Sequence, residues 1–172
     1  RTETDVAPRT PAASLTEIET SPVLKKMLPD LRDHFSRIAS PAVRNRATVA
    51  GNIVNASPAG DLSVIFLALD ASVALEREDR ERIVRLRDFF RGYKILDLTA
   101  DEMIVEIRFP VPEPGTRFHF EKVCRREFLD IAAASSAILV RVKDGRIAEA
   151  HVSAGSVAPV PLYLRETSAF LQ

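Results

Sequence analysis

The apolar residues of this 172-residue chain change their spacing near Ser72, and the change limits the class of fold. Before it, the segment after Ser57-Pro58 repeats apolar residues at helical intervals, at Leu62, Ile65, Phe66 and Leu69. After it, apolar residues alternate with mostly polar neighbours, at Met103, Val105, Ile107 and Phe109. Helices followed by strands predict an α+β fold in two unequal parts.

Caps, prolines and turn residues predict the elements of the first part. We expect a short strand over 13–18, then a helical region that opens at Ser21-Pro22 and is split in two by Pro29. We expect a turn over 48–52. A helix with Ser57 as its N-cap follows, and Asp61 in its first turn is favoured by the helix dipole.

Strands dominate the expected second part. The Pro-rich segment 111–115 is the predicted domain boundary and divides 1–112 from 113–172. The expected strands cover 73–77, 83–86, 103–109, 117–123, 137–143 and 146–153. Asp144-Gly145 suits the turn of the last hairpin, and a helix is expected within 161–172.

Charge and cysteine content exclude several classes of function. Lys+Arg and Asp+Glu both number 24, so a nucleic-acid or anionic-membrane surface is not expected. The single cysteine, Cys124, rules out a disulfide framework or a cysteine-based cluster, and the three histidines are too scattered for a local metal motif. We find neither a catalytic constellation, nor an apolar run long enough to span a membrane, nor a signal peptide, and we expect a cytoplasmic protein.

The segment 43–62 carries the strongest chemical signal. Gly51 has no Cβ to block a ligand, and Asn52 offers an amide while tolerating unusual backbone angles. With Thr48 nearby, these residues suit close backbone approach to a phosphate or pyrophosphate. A purely structural turn is the alternative interpretation.

Three further residues have both a structural and a functional interpretation. In the structural interpretation, Ser57 caps the helix and Asp61 complements the helix dipole. In the functional interpretation, Asp61 accepts hydrogen bonds from the hydroxyls of a ribityl or ribose chain. Lys122 shares strand parity with Phe118 and Phe120. It therefore points inward towards a partner or ligand cavity, or extends out to solvent at the strand end.

The run 38–58 resembles the second FAD-binding motif of the flavin subunits of molybdenum hydroxylases, the xanthine dehydrogenase and carbon monoxide dehydrogenase medium-subunit family. Further matches occur in family order at 61–62, 67–71, 88–93, 101–104, 120–123, 125–126, 130–132 and 155–161. The resemblance covers essentially residues 13–172. It implies part of a two-part FAD-binding domain with a mixed or antiparallel sheet, followed by a smaller domain with a three-stranded antiparallel sheet and a truncated helical part.

The resemblance also implies a cofactor and its contacts. Thr48, Gly51 and Asn52 would line the phosphates of FAD, and Ala50 would belong to the same cofactor-binding segment. Ser57 and Asp61 would lie along its polar chain, and Lys122 near the flavin ring. Ala50 stands where the family usually has the first glycine of a pair. The family's other FAD motif, a Gly-Gly-Thr-Asp-type loop upstream, is not in the sequence, so the resemblance implies a fragment.

The implied role is electron transfer within a larger oxidoreductase. Molybdopterin and [2Fe–2S] clusters would reside on partner subunits or domains, and FAD would pass electrons to NAD⁺ or another acceptor. The substrate would bind the molybdenum partner and stays open. A flavin-free assembly module with the same fold is the alternative. A different oxidoreductase sharing the flavin fold is disfavoured by the matches around Lys122 and 130–132.

Overall fold

The computed structural model describes residues 12–126 and 128–172. Its helices are α1 Leu15–Thr20, α2 Pro22–Met27, α3 Leu31–Ser36, α4 Pro41–Arg44, α5 Val49–Val54, α6 Asp61–Ala68, α7 Leu86–Phe89 and α8 Arg165–Phe170. Its strands are β1 Ser72–Arg77, β2 Arg80–Arg85, β3 Phe90–Gly92, β4 Ile95–Leu96, β5 Met103–Arg108, β6 Thr116–Val123, β7 Ala134–Lys143, β8 Arg146–Gly155 and β9 Leu162–Tyr163. None of the helices in the described ranges has the length and apolarity to cross a lipid bilayer.

The strands form three antiparallel sheets, which confirms the predicted α+β class. Their orders are β2-β1-β5, β3-β4 and β6-β7-β8-β9. Both predicted hairpins are present, and the turn residues Asp144 and Gly145 have positive φ angles of 52° and 73°. The last sheet has the three expected long strands and a two-residue edge strand, β9, that was not predicted. The β3–β4 pair was also missed.

The N-terminal segment is helical where a strand was predicted over 13–18. The Ser14 hydroxyl accepts from the Glu17 N–H, and the Ser14 N–H donates to the Glu17 carboxylate, so the two residues form a capping box at the start of α1. Only Ser14 pairs like a strand residue, in an isolated bridge with Thr48. The split at Pro29 is confirmed, since α2 ends before it and α3 begins after it.

Two predictions around the candidate segment were wrong. Residues 48–52 belong not to a free turn but to Thr48, the N-cap, and helix α5. Ser57 does not cap the next helix, because Gly60 is the N-cap and Asp61 the first helical residue. Ser57 instead begins a turn in which its carbonyl accepts a hydrogen bond from the Gly60 N–H at 2.9 Å.

Helix α6 is the central element of the core. All eight of its residues are buried. It packs against β7, β8 and β9 on one side and against α5 and α7 elsewhere. A helix enclosed in this way is largely apolar around its surface, and in α6 only Asp61 and Ser63 are polar.

Close approach between α6 and β8 depends on small residues. The Ser153 hydroxyl donates to the Val64 carbonyl at 2.7 Å. A Cβ built on Gly155 would lie 2.5 Å from Ser135 Oγ and 2.8 Å from Val64 Cγ2. The next residue, Ser156, donates its N–H to the Pro58 carbonyl at 2.9 Å. The glycine therefore lets the end of β8 support the turn that leads into α6.

We predict that Gly155→Ala lowers the free energy of unfolding by about 1–3 kcal/mol, because the methyl group overpacks this junction. Urea unfolding followed by circular dichroism measures the change. Gly92→Ala is the control, since a Cβ there meets Ile95 Cδ1 at an ordinary 3.5 Å. A Gly155→Ala protein as stable as the control would contradict the close-approach argument.

Candidate functional site

A buried ion pair joins α6 to β6. Lys122 Nζ donates to Asp61 Oδ2 at 2.7 Å, and the two side chains are 3% and 10% exposed. The same ammonium donates to the Arg37 carbonyl, at the C-terminal cap of α3, at 3.1 Å. One cation therefore connects three elements that are distant in sequence.

Local structure explains why these two side chains meet. Asp61 is the first residue of α6, where the helix dipole favours a carboxylate. On β6, Phe120 and Lys122 are buried while Glu121 and Val123 are exposed. Of the two orientations that strand parity left open for Lys122, the structure has the inward one.

The electrostatics of Asp61 leave room for another donor. Burial raises the pKa of the Asp61 carboxyl above its usual value, and the hydrogen bond and charge of Lys122 only partly oppose this. Asp61 Oδ1 is buried and has no hydrogen-bond partner among the described residues. Such an oxygen usually accepts a hydrogen bond from a ligand or water.

The N-terminus of α5 is held by the segment before α1. Thr48 and Ser14 form the isolated bridge, the Val49 N–H donates to the Ala13 carbonyl at 3.1 Å, and the Leu15 N–H donates to the Ala47 carbonyl at 3.0 Å. The Thr48 hydroxyl then accepts from the Gly51 N–H at 3.1 Å. These bonds fix the direction in which α5 starts.

The residues of the α5 segment divide into exposed and enclosed ones. Gly51 is exposed, and a Cβ on it would lie 2.8 Å from Thr48 Oγ1. Ala50 lies inside the helix, so it has no need of the positive φ that a glycine would supply. Asn52 Oδ1 is buried with no partner among the described residues. Two unpartnered acceptors, on Asn52 and Asp61, thus occur on the adjacent helices α5 and α6.

The structure brings some predicted site residues into direct contact and leaves others apart. Asp61 and Lys122 touch, and Ser57 lies in the turn just before Asp61. The neighbouring α5 segment, which packs against α6, carries Thr48, Ala50, Gly51 and Asn52. Across the two described ranges, no group of three or more His, Cys, Asp or Glu side chains is arranged to hold a metal ion.

Sequence reasoning missed Arg37 and Gly155. Arg37 takes part through its backbone carbonyl, an atom that every residue carries, so no side-chain pattern indicates it. Gly155 lies within the resembling run 155–161, but its proximity to Val64 and Ser135 depends on tertiary packing.

We predict that Lys122→Met lowers the free energy of unfolding by about 3–5 kcal/mol, because it leaves a carboxylate buried without its cation. The pKa of Asp61 should rise further in this variant, which carboxyl ¹³C NMR would show. Adding Asp61→Asn should recover much of the lost stability, as a double-mutant cycle by urea unfolding would show.

The control is Arg126→Met, which breaks the Arg126–Asp130 pair. That pair has an arginine side chain 70% exposed, and we expect a change below about 1 kcal/mol. Additive effects of the Lys122 and Asp61 substitutions would contradict a coupled buried pair.

Comparisons with known proteins match the two regions separately. Residues 10–112 match the family described as the FAD binding domain in molybdopterin dehydrogenase. Residues 119–172 match the CO dehydrogenase flavoprotein C-terminal domain. Asp61 lies in the first region and Lys122 in the second.

Individual relatives agree with this assignment. The chain is 31% identical over 146 residues to the caffeine dehydrogenase subunit beta of a Pseudomonas strain, covering 84% of this chain and 49% of that one. It is 30% identical over 151 residues to the carbon monoxide dehydrogenase medium chain of Afipia carboxidovorans, covering 88% and 52%. It therefore spans about half the length of these relatives.

A solved carbon monoxide dehydrogenase from Hydrogenophaga pseudoflava has the same fold. The two superpose with a TM-score of 0.86 at 32% identity, over 92% of this chain and 55% of the other. The match of 10–112, more than half of the chain, together with this superposition, shows that the chain belongs to the family of FAD-binding flavoprotein subunits of molybdopterin dehydrogenases.

Proposed function

We propose that this chain contributes an FAD site at the junction between α5, α6 and β6. The observation that carries the proposal is Asp61 Oδ1, a buried carboxylate oxygen without a partner among the described residues, next to the Lys122 ammonium. The polar chain of FAD carries hydroxyl groups that can donate to such an oxygen. Family membership supports FAD as the ligand.

The residues present fit the cofactor in three respects. The exposed Gly51 leaves the start of α5 free of side-chain bulk, which suits backbone approach to a phosphate. Asn52 Oδ1 and Asp61 Oδ1 provide acceptors that still lack donors. We place Ser57, which lies in the turn before α6, along the same polar chain.

The chemistry divides between cofactor and protein. Bound FAD would supply the redox step. Lys122, which we place beside the flavin ring, favours the negative charge that the ring gains on reduction. Asp61 holds that ammonium in place and positions the polar chain, and the apolar core around α6 excludes water.

We further propose that the protein passes electrons between partner redox centres and a soluble acceptor. The relatives are a dehydrogenase "medium chain" and a "subunit beta", and the Hydrogenophaga structure is of an enzyme form that lacks the Mo-pyranopterin moiety of the molybdenum cofactor. By analogy, [2Fe–2S] clusters and molybdopterin lie on partner subunits or domains, NAD⁺ or another molecule accepts the electrons, and the complex is cytoplasmic.

A flavin-free assembly module is the second candidate, and one observation favours it. Asp61 Oδ2 and Lys122 Nζ already satisfy each other, and Gly51 is explained by the Thr48 cap alone. Under this alternative the purified protein would be colourless and would not take up added FAD. An absorption spectrum with identification of the released flavin separates the two functions.

We predict that Gly51→Val abolishes retention of FAD, because the side chain blocks backbone approach. Since a Cβ would also disturb Thr48 Oγ1, the sharper comparison is Gly51→Ala within a Thr48→Ala background. With the hydroxyl removed in both proteins, the added methyl should weaken FAD binding at least about tenfold, which is roughly 1.4 kcal/mol. Equal affinity, measured by fluorescence titration, would mean that the glycine serves only the helix cap.

We predict that Lys122→Ala lowers the reduction potential of the bound flavin, because the cation that favours its reduced form is lost. Spectroelectrochemical titration measures the potential. Lys122→Arg should retain part of the effect, and Lys143→Ala, at the exposed end of β7, should change nothing. An unchanged potential in Lys122→Ala would place the ammonium away from the ring.

A further inference from the structure

His34 is a buried imidazole at the contact between α3 and β6. It is 7% exposed. Its ring lies edge-on to Phe118 at 5.8 Å, to Phe120 at 5.8 Å and to His119 at 5.7 Å between centroids. The side chain thus fits among the rings of the strand that carries Lys122.

The surroundings of His34 favour its neutral form. Nε2 is buried and has no hydrogen-bond partner among the described residues. Burial lowers the pKa of His34 below its usual value near 6.5, and the charges of His119 and Arg37 lower it further. Asp30 and Asp33 act in the opposite direction but do not outweigh burial.

Helix α3 connects this imidazole to the candidate site. The Arg37 N–H donates to the His34 carbonyl at 3.3 Å, so both residues belong to the last turn of α3. The carbonyl of the same Arg37 accepts from Lys122 Nζ at 3.1 Å. The Arg37 guanidinium adds a longer and exposed ion pair with Glu121, at 3.7 Å.

We infer that His34 is a positioning residue for Lys122. In its neutral form it holds the end of α3 against β6, and through α3 it keeps the Arg37 carbonyl on the Lys122 ammonium. Protonation places a charge in a buried site among aromatic rings, and the carboxylates of Asp30 and Asp33 compensate it only in part, which favours movement of this turn away from β6. Phe35 and Ile38, at 1% and 4% exposure, keep the rest of α3 anchored in the core.

The pH dependence follows from the direction of the pKa shift. Because the pKa of His34 is lower in the folded protein than in the unfolded chain, its stabilising contribution is complete above about 6.5. It is lost as the pH falls through the folded value. At neutral pH the Arg37–Lys122 bond is intact, and in acid Lys122 has lost one of its two acceptors.

The test follows the two side chains together in the purified protein by ¹⁵N NMR. We expect the Lys122 Nζ resonance to shift with the same midpoint as the His34 imidazole, below pH 6.5. His34→Phe cannot be protonated and should remove this pH-dependent shift of the Lys122 Nζ resonance. His34→Gln provides a second neutral variant should the first fail to fold. His119→Gln is the control: it keeps the pH-dependent shift of the Lys122 resonance and moves its midpoint slightly upward, since the electrostatic effect of His119 that lowers the pKa of His34 is gone.

A Lys122 resonance that stays constant while His34 titrates would overturn the inference, as would the same inflection in a neutral variant. This coupling is measured without flavin and stands independently of cofactor binding. The consequence for the cofactor rests on the proposed function: the reduction potential of bound FAD should acquire a pH inflection at the His34 midpoint. If no FAD binds while the NMR coupling is present, the proposed function fails and the positioning role remains.

Discussion

The Asp61–Lys122 ion pair is the interaction on which the arrangement of this protein depends. Removing a lysine or a carboxylate from water costs free energy, and in this pair each charge offsets part of the cost of burying the other. Because one lies at the start of α6 and the other near the end of β6, the pair also fixes where these elements meet. The Arg37 carbonyl adds α3 to the same point.

Close packing and hydrogen bonds both hold α6 against the last sheet. The fully buried α6 approaches the last sheet closely because Ser153 and Gly155 are small, and the Ser156–Pro58 hydrogen bond holds the turn before Asp61. The two matched family regions meet here, since Asp61 belongs to one and Lys122 to the other. The binding of a ligand that contacts both side chains would therefore depend on the contact between the two regions and would stabilise it.

The sequence predicted the fold where periodicity was strong and failed where local signals competed. Strand alternation put Lys122 on the same face as Phe120 but left an extension to solvent open, and the burial of both residues in the structure decides for the inward orientation. The strand predicted over 13–18 failed because the Ser14–Glu17 capping box outweighed the apolar residues that suggested extended structure. At Thr48 the error had the same origin, because Gly51 was interpreted as a turn residue although it is the third residue of a capped helix.

The remaining site features could not be read from residue types. The Arg37 carbonyl and the enclosure of His34 by three rings arise from the way α3 lies on β6. Only the structure shows that Asp61 Oδ1 lacks a hydrogen-bond donor, because Lys122 binds the other carboxylate oxygen, Oδ2. Sequence patterns named Asp61 and Lys122, and tertiary structure determined which of their atoms remain available.

The structure of the purified protein with FAD tests the central claim most directly. Our account predicts a hydroxyl oxygen of the cofactor's polar chain within hydrogen-bond distance of Asp61 Oδ1, the flavin ring beside Lys122 and the phosphates near Gly51. FAD bound elsewhere, or a structure in which Asp61 and Lys122 keep only each other while added FAD stays in solution, would contradict it.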